Sequence, residues 1–192
     1  MKVCILMGSP RKNGNTASVM PYFIDRLQRG GAEVEYIFLH DKKIEACTAC
    51  RNCQKDYTKF GCVHDDDMQE VFDKVLEADL FVLATSIYSW FCPAPMKAVM
   101  DRLMYGMNKY YGETKGPSIW AGKKCALFIT CGYPAEKGAD LFEEGMKRYC
   151  KHSQLQYVDM LALRDLGYKH IFKDDEKIEQ SKAFADALLG VM

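Results

Sequence analysis

The sequence has no apolar run long enough to span a bilayer, no internal repeat, no low-complexity tract and no recognisable linker. Those absences remove membrane-spanning and repeat architectures and leave one domain, residues 1–192, as the expectation. Excess charge is missing too. Its 26 basic side chains balance 26 acidic ones, so no global field draws the chain to nucleic acid or to an anionic membrane. Any anion must be held locally. The first apolar run, KVCILM, is too short for a signal peptide and leads straight into a polar loop, so a cytoplasmic protein is expected. Cysteine, by contrast, is abundant, with nine in the chain. In a reducing compartment that number points to metal ligands or redox chemistry before disulfides.

With 48% hydrophobic residues, the chain has material for a substantial core. Strand-like runs at Lys2–Met7, Glu33–Phe38, Leu80–Thr85, Lys124–Thr130 and Gln156–Leu161 alternate with helical patterns. Those patterns run from about Thr16 to Arg29, Met68 to Ala78, Pro95 to Met107, Ala139 to His152 and Glu176 to Leu189. The alternation predicts an α/β fold with a parallel sheet covered by helices on both faces. Two connections exceed what such a fold needs: a cysteine-rich insertion at about 43–67, and Gly106–Lys123 with Tyr110, Tyr111 and Trp120. Long connections in compact domains are commonly functional or interfacial.

The stretch GSPRKNGNT, residues 8–16, follows the first buried strand and opens the first helix. A donor-rich strand-to-helix turn is where α/β proteins hold phosphate. It is not a nucleotide P-loop, because Gly8 and Gly14 enclose five residues and Asn15 stands where the lysine belongs. Nor is G-x-G-x-x-G present, and EYIFLH ends the second strand without an obvious ribose-binding acid. The remaining candidate wraps one terminal phosphate monoester with hydroxyls, amides and peptide N–H groups. Ser9, Asn15 and Thr16 suit that task, Arg11 can assist from the rim, and the helix adds roughly half a positive charge. The plain alternative is a helix capped by Asn15 or Thr16.

Taken in order and spacing, GSPRKNGNT, ACTACRNCQK…GCVHDDDM and SIYSWFCPAPMKAVMDRL resemble the NADPH-dependent FMN reductase and iron–sulfur flavoprotein branch of the flavodoxin-like superfamily. The resemblance spans residues 2 to about 134. It implies a flavodoxin-like three-layer sandwich, a five-stranded sheet in the order 2-1-3-4-5, and FMN at the carboxyl ends of the strands. The phosphate loop then comprises Ser9, Arg11, Asn13, Asn15, Thr16 and Ala17. Ser86, Ile87, Tyr88, Ser89 and Trp90 follow the third strand and would border the flavin ring; Thr130, Gly132 and Tyr133 follow the fourth. Family members often place proline before Ile-Tyr; Ser86 here makes that loop less rigid. Lys97 and Asp101, four apart on the third helix, read as structural support, and HDDDM as an acid-rich helix start.

Cys47, Cys50, Cys53 and Cys62 form C-x2-C-x2-C-x8-C. Three thiols at spacing three resemble a loop around an iron–sulfur cluster with a fourth ligand further on. Zinc fingers usually pair two C-x-x-C knuckles, and only one tight triplet exists here. By resemblance the metal is a [4Fe-4S] cluster, although relatives without a cluster also keep some of these cysteines. Cys4 and Cys125 lie in strand runs and read as core. The expected function is transfer of hydride from NAD(P)H to FMN and of electrons onward to a small-molecule or protein acceptor. Its alternative is an electron carrier holding FMN and [4Fe-4S]. No acid–base residue is required for hydride transfer, so no catalytic residue is assigned. The resemblance also implies a homodimer or homotetramer.

Overall fold

The computed structural model describes residues 1–191. Five strands, β1 (Lys2–Met7), β2 (Glu33–Phe38), β3 (Leu80–Ser86), β4 (Lys124–Cys131) and β5 (Gln156–Arg164), form one parallel sheet in the order β2-β1-β3-β4-β5. Helices α1 (Asn15–Arg29), α2 (Met68–Glu77), α3 (Ala94–Met107), α5 (Asp140–His152) and α6 (Asp175–Gly190) alternate with them, as the sequence predicts. A short α4 (Ala135–Gly138) precedes α5, which forms the helix expected from Ala139 to His152. β5 runs three residues beyond its expected end, to Arg164.

Alternation along the strands builds two cores, because successive side chains leave opposite faces of a sheet. Val3, Ile5 and Met7 pack with α1 and α6 through Phe23, Leu27, Phe184 and Leu188. Cys4 and Leu6 pack on the other face with α2, α3 and α5. The rings of Phe23 and Phe128 lie 5.1 Å apart and those of Phe23 and Phe184 5.9 Å, joining α1, β4 and α6. Each such ring contributes roughly 1.5–3 kcal/mol by burial. Cys4 and Cys125 are core residues, as expected. Among the described residues, no helix is long and apolar enough to cross a membrane.

The two long connections dock on each other. Gln54 donates to the carbonyls of Tyr105 (2.5 Å) and Asn108 (3.1 Å) and accepts from the Tyr111 amide at 3.0 Å. Tyr57 donates to the Thr114 carbonyl at 2.7 Å. Trp120 does not offer a contact surface: it is buried, stacked 5.6 Å from Phe81, with its indole N–H donated to Asn108. Its apolar bulk and single donor suit an interior site with one polar partner.

Candidate functional site

The loops after β1, β3, β4 and β5 meet at the carboxyl edge of the sheet, laced by backbone hydrogen bonds. The Gly8 amide donates to Ala84, Ile87 to Thr130, and Asp165 to Cys131, each at 2.8 Å. Gly8 is required there: a Cβ would stand 2.7 Å from Cβ of Met96, in the first turn of α3. The β1 loop then turns, with Gly14 donating to the Arg11 carbonyl at 3.0 Å.

Helix α1 starts from Gly14, which has no side chain to cap it, and its first turn carries no acid. The plain reading, in which Asn15 or Thr16 caps this helix, is therefore not what forms. Thr16 instead reaches across to Thr130, hydroxyl to hydroxyl at 2.7 Å, and joins the β1 and β4 loops. An uncapped helix start leaves amide donors and the positive dipole end free for an anion.

Ser9, Arg11, Asn15, Thr16, Ser86, Ile87, Tyr88, Thr130 and Gly132 line a cavity of about 80 Å³, together with Cys131 and Asp165. A second cavity of about 370 Å³ shares Ile87, Cys131 and Gly132 and extends past Ser89, Trp90, Tyr133 and Gly138. Neither cavity is lined by Asn13, which is exposed on the turn, or by Ala17, which is half-buried in α1. Asp165 was missed in the sequence because β5 was read as ending at Leu161; the longer strand carries this carboxylate to the rim. Burial pushes the Cys131 thiol up, with Arg164 opposing, so it lines the wall as a neutral group.

Two features test whether the cavities suit a flavin phosphate. The Ser86 hydroxyl is buried with no hydrogen-bond partner among the described residues, although it lines the smaller cavity. A Cβ at Gly132 would meet no protein atom within 4 Å. The site thus has an unused donor and open space where the expected ligand belongs, and the residues fit FMN. Beside it, Tyr88 and Phe91 exchange backbone hydrogen bonds (2.8 and 2.9 Å) across a two-residue turn. Its central residues Ser89 and Trp90 both have positive φ, 49° and 65°, an unfavourable state for a bulky side chain. Trp90 is held there by its N–H donated to the Lys137 carbonyl at 3.0 Å and by a parallel ring, Tyr133, 6.4 Å away.

A second constellation lies in the cysteine-rich connection. Cys47, Cys50, Cys53 and Cys62 line one cavity, closed by Phe60, His64, Arg102 and Tyr105. Ala49 and Arg51, on either side of Cys50, have positive φ (55° and 58°), and the Ala49 amide points at the Cys47 sulfur at 3.4 Å. Among the described residues, no three His, Cys, Asp or Glu side chains are gathered as ligands to a single ion. Arg102 donates to Asp66 at 2.5 Å, to the Glu45 carbonyl at 3.3 Å and to the Cys62 sulfur at 3.2 Å. Burial alone would raise the Asp66 carboxyl, but hydrogen bonds from Arg102, Glu45 and Met68 outweigh it and hold the group below its ordinary range. HDDDM is thus more than an acid-rich helix start: Asp66 accepts from the Met68 amide at 3.1 Å and also anchors this buried cation. The Lys97–Asp101 pair is the exposed support expected of it.

Comparison with known proteins bears on family and fold. The family described as NADPH-dependent FMN reductase matches residues 1–141. An iron-sulfur flavoprotein of Archaeoglobus fulgidus is 38% identical over 120 residues, covering 62% of this chain and 53% of its own. One from Methanosarcina thermophila is 33% identical over 103 residues, covering 53% and 52%. The chain spans about half the length of the curated relatives it matches. In fold it is similar to an NAD(P)H:quinone oxidoreductase from Methanothermobacter marburgensis, with TM-score 0.70, 20% identity and coverage of 98% and 97%. It is also similar to an FMN-dependent NADH-azoreductase from Bacillus anthracis, with TM-score 0.69, 13% identity and coverage of 99% and 98%. With its family match, its strand order and its loops at the carboxyl edge, the chain belongs to the NADPH-dependent FMN reductase family.

Proposed function

We propose that this protein is an FMN-dependent oxidoreductase that passes electrons from a reduced nicotinamide to a small-molecule or protein acceptor. The observation that carries this reading is the cavity where the uncapped start of α1 faces the unpartnered Ser86 hydroxyl. Ser9, Asn15 and Thr16 hold the phosphate as hydroxyl and amide donors, Arg11 neutralises charge at the rim, and backbone near Ile87 and Gly132 borders the ring. Trp90 and Tyr133 present apolar faces where the larger cavity opens. When bound, FMN supplies the redox chemistry, accepting hydride and delivering electrons. The chain's own contribution is placement: no side chain has to carry a proton in that step.

The exposed aromatics Tyr88, Trp90, Phe91 and Tyr133 cluster at the same rim, which supports pairing of two or more copies of the chain there. A cytoplasmic location fits nine cysteines that are all free thiols.

The four-cysteine cavity favours a second reading, an electron carrier with FMN and a [4Fe-4S] cluster. Its thiols border one shared space and come from a tight C-x2-C-x2-C triplet with a fourth cysteine further on, a pattern that resembles an iron–sulfur loop more than paired zinc knuckles. Cys47, Cys50, Cys53 and Cys62 would be its ligands. Anaerobic purification separates the two. Yellow protein with rapid NADPH oxidation and no iron supports the reductase. Four iron and four sulfide per chain with little NADPH turnover support the carrier. Protein that is colourless and unchanged by added FMN defeats both.

A further inference from the structure

The buried charge around the cysteines does not balance within the protein. Arg102, 2% exposed in the middle of α3, pairs with Asp66. Lys109, fully buried, has no carboxylate at salt-bridge distance among the described residues, Asp56 acting on it only from further away: its ammonium donates to the carbonyls of Cys53 (2.7 Å) and Lys59 (2.6 Å). Two cations and one carboxylate are thus enclosed beside four thiols. Burying an uncompensated cation is costly, so such an arrangement suits a centre that brings negative charge.

Arg102 is also only partly used. A guanidinium kept for structure alone would spend its planar fork on the carboxylate. Here one terminal nitrogen serves Asp66 and the Glu45 carbonyl, while the other is donated to the Cys62 sulfur at 3.2 Å. The Nε–H is buried with no partner among the described residues, and Arg102 lines the cysteine cavity. A second buried nitrogen on that wall, Nε2 of His64, is likewise unpartnered. Asp66 cannot follow the arginine if it shifts, because it is itself fastened by the Glu45 and Met68 amides at 2.9 and 3.1 Å.

We infer that Arg102 is a positioning residue for the four-cysteine centre, a fixed cation that orients Cys62 and offers Nε–H to the inorganic sulfur enclosed by the loop. The inference rests on the cysteine cavity holding an iron–sulfur cluster. A permanent cation with N–H donors to sulfur stabilises the form carrying one more electron, so Arg102 raises the reduction potential of the centre.

The test uses the full chain, reconstituted anaerobically with ferrous iron and sulfide. Iron and sulfide content are measured first, and then a redox titration is followed by absorbance and electron paramagnetic resonance. Arg102→Lys keeps the charge and loses the fork; Arg102→Gln combined with Asp66→Asn removes both charges together. Each is expected to keep its cluster and to shift the reduced-to-oxidised ratio at a fixed potential at least tenfold toward oxidised, a fall of about 59 mV for one electron. Wild-type protein labelled with 15N-arginine is expected to show nitrogen coupling to the reduced centre, a readout that requires no folded variant. Unchanged potentials in cluster-loaded variants, or no coupling in labelled wild type, overturn the role of Arg102 alone. Folded wild type that takes up neither iron nor sulfide overturns the cysteine reading and this inference with it.

Discussion

Replacing Ser86 with alanine should move stability and flavin affinity in opposite directions. The Ser86 hydroxyl has no protein hydrogen-bond partner among the described residues, and a buried group left unpaired costs up to about 1–3 kcal/mol. Alanine removes that cost with little change in packing, since the lost oxygen faces a cavity of about 80 Å³. The ligand-free variant should therefore unfold at higher denaturant, with a gain of about 1 kcal/mol and an unchanged slope. Binding should suffer, because the same hydroxyl is assigned to the flavin. A neutral hydrogen bond contributes about 0.5–1.5 kcal/mol net, so FMN affinity should fall about two- to tenfold. Saturating FMN adds stability in proportion to the logarithm of its concentration over Kd, so it should stabilise the variant less than the wild type. Urea unfolding with and without FMN, paired with fluorescence titration, measures both quantities. A variant that is less stable without FMN yet binds it equally well would refute the reasoning, because Ser86 would then have a protein partner and no ligand.

Two further outcomes follow from the same geometry. Gly8→Ala puts a methyl 2.7 Å from Cβ of Met96, backbone-fixed on both sides, and should destabilise the fold by about 1–3 kcal/mol in urea unfolding; an unchanged midpoint contradicts the close approach. Asp66 is ionised more readily in the folded chain than in the unfolded one, so its contribution is present above about pH 4 and is lost as pH falls through its lower folded value. Asp66→Asn strands the buried Arg102 and should cost about 3–5 kcal/mol at neutral pH. Its stability gap to wild type should narrow below about pH 4, and a gap constant with pH contradicts the pairing.

These tests touch features of unequal legibility. β1, β3 and β4 could be read because near-continuous apolar runs bounded by turns leave few alternatives in an alternating pattern. β5 was read short because its later residues, Ala162 to Arg164, mix polar and apolar character at the edge of the sheet. That shortening concealed Asp165. Thr16 was recognisable as a loop donor, but its bond to Thr130 joins residues 114 apart and has no local signature. The four cysteines were visible by spacing, which is a local property. The role of Arg102 was not, because it lies in Asp66, 36 residues earlier, and in the sulfur of Cys62. Gln54, which fastens the two long connections together, looks in sequence like any polar loop residue.

Paired equilibrium titrations with FMN and riboflavin test directly whether the β1 loop grips a phosphate monoester. The two ligands differ only in the phosphate, and two or more charge-assisted hydrogen bonds at about 1.5–3 kcal/mol each should make FMN at least about 100-fold tighter. Equal affinity for the two would contradict the assignment of Ser9, Asn15 and Thr16 to that group.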